Sequence, residues 1–382
     1  MRIQQMLLAA GALALGACGD AATPAAAPAG AAAPLLAAAA NGVEGEYIVV
    51  LRDGASPTSV AAVAGVHPRH VYTAALTGFA APLSRGQLAA LRHHPAVEYV
   101  EQDQGVEAAW VQTNAPWGLD RIDQPFLPLN GTYVYNTLAS NVTAYIIDTG
   151  IHTAHPQFGG RAANVYDAFG GNGQDCNGHG TGVAGVVGAA TYGVAKGIKL
   201  RGLRALNCNG SGTISGIVAA VDWVRSNHLA PAVANLSLGG GSSLALNTAV
   251  TNLYNAGVFV AVAAGNSNAN ACNFSPSGAT NATTAAASDA ADNRVTSSNW
   301  GSCVDLYAPG RNVPTVGLNG SVTTGGSSMS APHVAGVAAL YLATFGGGAP
   351  QARAWIITNA TPNVINGNPA GTPNRLLYKG TL

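Results

Sequence analysis

Thr143-Ala144-Tyr145-Ile146-Ile147-Asp148-Thr149-Gly150 decides the fold. An apolar run with no alternating charged position ends in an acid and passes into a glycine turn. Such a run suits a strand covered on both faces, because a strand covered on one face alternates apolar and polar residues. Val233–Leu236 and Val258–Ala263 are similar runs, and Thr181–Val187, Gly216–Ser226 and Ala331–Phe345 are helix-like stretches alternating with them. The pattern predicts an α/β domain over 110–382, with a mostly parallel central sheet flanked by helices on both faces. In such folds reactive residues gather at the carboxyl ends of strands, where Asp148 would stand.

Toward the N-terminus the composition changes. Residues 44–109 read as a small α+β unit. Tyr47–Leu51 is strand-like, Ser84 caps a short amphipathic helix through Leu91, and Val97–Glu101 alternates like a half-buried strand. So small a unit is marginal alone and calls for a partner surface. Ahead of it, residues 18–43 read as an Ala/Pro-rich tether: 19–42 hold 13 Ala in 24 residues. Arg2 and the apolar run Met6–Ala17 make 1–17 a signal peptide, too short for a comfortable membrane span. Leu15-Gly16-Ala17-Cys18 resembles a bacterial lipobox, so Cys18 is a lipidation candidate and the membrane is expected only through that lipid. The chain is expected in the cell envelope or outside the cell. With 9% charged residues and zero net formal charge, no nucleic-acid partner is expected.

Three motifs carry chemistry jointly, although each alone has a commoner reading. Asp148 before Gly150 could be turn chemistry. His179, in Asn177-Gly178-His179-Gly180-Thr181-Gly182, sits among glycines that let backbone or substrate approach its ring. Ser328, in Gly325-Gly326-Ser327-Ser328-Met329-Ser330-Ala331-Pro332, could be a helix cap, with Pro332 tolerated in the first turn. It could equally be a nucleophile facing the positive helix end. A serine hydroxyl needs a base, an imidazole supplies one near neutral pH, and a carboxylate fixes its tautomer. Asp, His, Ser is one of the known chain orders of that trio, and not the Ser-first order of the esterase elbow. Asn266, just past the run ending at Ala263, could donate its amide to an oxyanion.

On these motifs, together with Pro116–Asp123 and Pro373–Tyr378, the chain resembles the subtilisin-like serine proteases, most of all the proteinase K branch near aqualysin. The resemblance covers essentially all of 110–382 and places Ser328, not Ser327, on the nucleophile and Asn266 on the oxyanion amide. It implies a monomeric serine endopeptidase with no catalytic cofactor, acting on proteins or peptides through an acyl-enzyme with apolar or aromatic P1 preference. Gly210-Ser211-Gly212 and Ser237-Leu238-Gly239-Gly240 would flank an extended substrate by strand addition. The unit at 44–109 would be an inhibitory propeptide, cut near Ala109. Four of the five cysteines admit three pairings, and the resemblance implies Cys176–Cys208 and Cys272–Cys303. It also implies structural calcium at Asp305. The chain departs from the family's pattern at Gly182, which replaces a histidine, at Ser327 and Ser330, which replace Thr and Ala, and in the Ala/Thr-rich Ser277–Asn293, where the family has a more apolar strand.

Overall fold

Consecutive residues of the central strands point into two different apolar layers. Ala144 and Ile146 lie in one layer with Val183, Val187, Val334 and Val337. Tyr145 and Ile147 lie in the other with Ile217, Val221, Leu246 and Val250. Phe259 and Ala261 join the first layer, and Val260 and Val262 join the second. Period-two side chains on a strand buried on both faces produce this division, and it explains the uninterrupted apolar runs.

The computed structural model describes residues 32–37, 42–105 and 110–382. The signal segment, Cys18 and the expected cut at Ala109 lie outside the described residues. The chain divides into two compact units, one up to Glu107 and one from Ala108.

The larger unit is built on a nine-stranded sheet. From one edge its strands are Thr361–Pro362, Arg375–Leu376, Leu306–Pro309, Thr283–Ser288, Phe259–Ala263, Ala232–Leu236, Thr143–Asp148, Lys199–Arg204 and Ala162–Asp167. All neighbours pair in parallel except the first two. Helices Ile214–Asn227 and Leu244–Asn255 begin on hydroxyl caps from Thr213 and Ser243. Helices His179–Gly188 and Ser327–Phe345 pack into the opposite layer and are almost wholly buried. The Ala/Thr-rich segment forms a fully buried strand, Thr283–Ser288, between two others. Cys176 is bonded to Cys208, and Cys272 to Cys303.

The smaller unit is a five-stranded sheet with helices Pro57–Val63 and Arg85–Arg92. Ser84 and Gln87 form a reciprocal capping box on the second helix. Three expectations need correction. Leu35–Leu36, inside the predicted tether, pairs in parallel with Val100 and Glu101, and Ala33 is buried, because the edge strand Val97–Gln104 leaves backbone groups for an extended segment to pair with. The strand predicted from Tyr47 begins at Gly42. Val97–Glu101 does not simply alternate: Glu98 has no partner opposite it, and this bulge turns both Val97 and Val100 into the core.

Candidate active site

Asp148 ends a buried strand and has no exposed surface. Its Oδ1 accepts from Thr149 N at 2.8 Å and meets His179 Nδ1 at 2.7 Å. With a carboxylate as partner, Nδ1 carries the proton and Nε2 is left free to accept one. The Asp148 carboxylate holds the His179 imidazole above its ordinary value of 6.5, outweighing burial, and Asp175 adds to the effect.

His179 opens the helix His179–Gly188 after Gly178, whose φ is +100°. The glycine that follows, expected to admit backbone and substrate, admits backbone. A Cβ on Gly180 would lie 2.2 Å from the carbonyl oxygen of Gly150, so the absent side chain admits the Asp148–Gly150 turn rather than a substrate. Asp175, which sequence reasoning missed, secures this junction. Its Oδ1 accepts from Asn177 N, Gly178 N and Thr149 Oγ1, and its Oδ2 from Thr181 N and Oγ1. Its position four residues before His179 was the only available signal.

Ser328 is the second residue of the helix Ser327–Phe345. Its Oγ donates to the carbonyl of Ser237 at 3.3 Å, and no hydrogen bond joins it to His179 in this state. Both residues nevertheless line one cavity of about 1110 Å³, together with Asn266. Serine–imidazole bonds are often long or misaligned before substrate binds. Pro332 is not in the first turn, as expected, but inside the helix. Asn266 Oδ1 accepts from Ser327 N at 2.9 Å and Ser327 Oγ at 3.1 Å, which commits its Nδ2 to the donor role. A second histidine on the same helix, His333, bonds through Nδ1 to Met329 O at 2.7 Å, and burial pushes it down to about 4. It is a neutral packing residue.

All seven predicted wall residues line the same cavity. Gly210 and Ser211 spend their N–H groups on Asn207, and Ser211 also gives it its carbonyl. Gly240 pairs with Ser275. Gly212, Leu238 and Gly239 make no backbone–backbone hydrogen bond among the described residues. Ser237 is buried, with its hydroxyl directed at the serine backbone rather than into the cleft. Gly182 lines a second cavity of about 510 Å³ beside His179, with Leu318, Val322 and Met329. The Ser330 hydroxyl is absorbed by Ala308 O at 3.0 Å.

Asp305 does not suit a hard cation. Its Oδ1 takes Arg353 Nη2 at 2.7 Å and its Oδ2 takes Thr284 N at 2.8 Å. A guanidinium stands where a cation would have to sit, and no cluster of three or more His, Cys, Asp or Glu suited to a metal occurs among the described residues. Among the described residues no helix is long and apolar enough to cross a membrane.

The subtilase family model matches residues 139–376, and the peptidase inhibitor I9 model matches 46–109. The extracellular serine proteinase of Thermus sp. (strain Rt41A) is 46% identical over 378 residues, 91% of this chain and 92% of that protein. The alkaline serine exoprotease A of Vibrio alginolyticus is 47% identical over 321 residues, 81% of this chain and 60% of that protein. The crystal structure of a cold-adapted subtilisin-like serine proteinase superposes with a TM-score of 0.69 at 48% identity, covering 71% of this chain and 99% of that one. The chain belongs to the subtilase family and is a subtilisin-like serine proteinase with an I9 propeptide segment preceding its catalytic unit.

Proposed function

We propose that Asp148, His179 and Ser328 form the catalytic triad of an endopeptidase, with Asn266 as oxyanion donor. The observation that carries this is the 2.7 Å contact of His179 Nδ1 with the buried Asp148, on the ring whose other nitrogen is free, in the cavity that Ser328 shares. His179 Nε2 takes the Ser328 proton as Oγ attacks the peptide carbonyl, and the imidazolium is stabilised by Asp148. The oxyanion is met by Asn266 Nδ2 and by the Ser328 N–H in the first helical turn. The protonated imidazole then hands its proton to the departing amine, and water attacking the ester restores Ser328.

Gly212, Leu238 and Gly239 align the substrate backbone. Ala263, Ala264, Gly265 and Phe274 on the cavity wall suit an apolar or aromatic P1 side chain. The I9 segment, matched up to 109, is removed by self-cleavage near Ala109 and restrains the enzyme until then. The apolar leader and the extracellular relative support export, with a lipid on Cys18 holding the precursor and the monomeric catalytic unit leaving the tether behind. Calcium at Asp305 is not proposed, because Arg353 already balances that carboxylate.

A fluorophosphonate probe on the purified full chain is expected to label the wild type and not Ser328→Ala. Casein hydrolysis and self-cleavage should follow the label. Equal processing of both proteins in a protease-free host would overturn autocatalysis, and labelling of Ser328→Ala would overturn the nucleophile.

A further inference from the structure

Asn266 stands on a segment that has just left the sheet. Ala264 N makes the last bond to the neighbouring strand, at Ala285 O, and beyond it Gly265–Ala269 runs without a strand partner. Residues 297–300 run beside it, with Asn268 N donating to Ser297 O at 2.8 Å and Trp300 N to Ala269 O at 3.0 Å, and within them Asn299 makes the bonds on either side of Asn266. Asn299 has no exposed surface. Its Nδ2 donates to Ala264 O at 2.8 Å, and its Oδ1 accepts from Ser267 N at 2.9 Å and Ala269 N at 3.1 Å. Its own N donates to Gly265 O at 2.8 Å.

These bonds bracket Asn266. The carbonyl before it and the N–H after it are both held by the same residue, so the two peptide planes that set its backbone angles are fixed. Gly265 makes this possible, because its φ is +99° and a Cβ there would come within 2.4 Å of Asn299 Nδ2. From the far side Ser327 N donates to the side-chain oxygen Oδ1 of Asn266 at 2.9 Å, and Ser327 Oγ accepts from Gly265 N at 2.9 Å. An oxyanion donor is effective only when it is aimed before charge develops, since reorientation during reaction would consume the gain. A side-chain amide with a donor and an acceptor is the group able to mimic a missing strand neighbour.

We propose that Asn299 is the positioning residue for the oxyanion-directed amide of Asn266, acting through the loop it spans and not on substrate. This rests on the oxyanion reading of Asn266 given above. The test is a double-mutant cycle in the full chain: Asn299→Ala, Asn266→Ala and both together, with kcat and KM on a fluorogenic peptide per fluorophosphonate-titrated site, and thermal unfolding of each. Asn299→Ala is expected to lower kcat by about tenfold or more with KM little changed. In the Asn266→Ala background the further loss should be at most about twofold, because residues acting as a unit are not additive.

Asn299→Asp keeps the acceptor for Ser267 and Ala269 and should fall between wild type and Asn299→Ala. It carries the same cycle if the alanine variant fails to fold. An equal fold-loss in both backgrounds, with Asn266→Ala itself impaired, overturns the positioning role alone. Full kcat in Asn266→Ala overturns the oxyanion reading and this one with it.

Discussion

The hydroxyl of Ser237 donates to the carbonyl oxygen of Ser328 at 2.6 Å. The reason lies four residues further along the helix. Pro332 has no N–H, so the carbonyl at position 328 loses its helical partner. The strand that ends at Leu236 delivers Ser237 to that vacant acceptor, and Asn235 Nδ2 orients the hydroxyl from behind at 2.9 Å. Ser328 is thus tied to the sheet by a bond that its own helix cannot make.

Ser237→Ala should leave a buried carbonyl unpaired, at a cost of about 1–3 kcal/mol. Thermal unfolding checks the loss, and kcat should fall more than KM rises because the nucleophile's backbone is released. Adding Pro332→Ala restores an N–H for that carbonyl. The double variant is expected to recover stability over Ser237→Ala, and no recovery would contradict the helical explanation.

Asp148→Asn removes the negative partner of His179 while keeping its shape. A kcat loss of about 10⁴ at neutral pH is expected, as for other triads that lose this carboxylate. The base must be unprotonated to work, and Asp148 raises the His179 pKa above 6.5. The wild-type kcat/KM should therefore decline as pH falls through a value above 6.5. In Asp148→Asn that acid limb should move to lower pH, and an unmoved limb would show that another group controls it.

Cys272 and Cys303 close a loop of separation 31 that contains Asn299. Replacing both by Ser should cost about 2–4 kcal/mol of stability. A lower melting temperature that reductant no longer affects through this pair is the expected result, with Cys176–Cys208 left intact as the comparison.

Asp305→Asn is expected to lower the melting temperature slightly, since its Arg353 partner is about a third exposed and such pairs contribute about 1 kcal/mol or less. The shift should be the same in calcium and in chelator. A calcium-dependent stabilisation lost only in this variant would restore Asp305 as a metal ligand.

Local sequence determined much of this protein. Apolar runs set which strands are buried on both faces, and glycines and hydroxyl caps set where helices begin. The order Asp148, His179, Ser328 with Asn266 between them named the candidate reactive groups, because each motif couples a strand end or helix start to its residue within a few positions. Only the tertiary structure decided what holds those groups in place. Asn299 acts on Ser267 across 32 residues, beside Asn266, and Ser237 acts on Ser328 across 91. A side-chain hydrogen bond to a group so far along the chain leaves no periodic trace in the sequence, since its geometry exists only once the sheet has brought the strand ends together. The bulge at Glu98 makes the same point on a smaller scale: period two predicted one face, and the register of the neighbouring strand chose another.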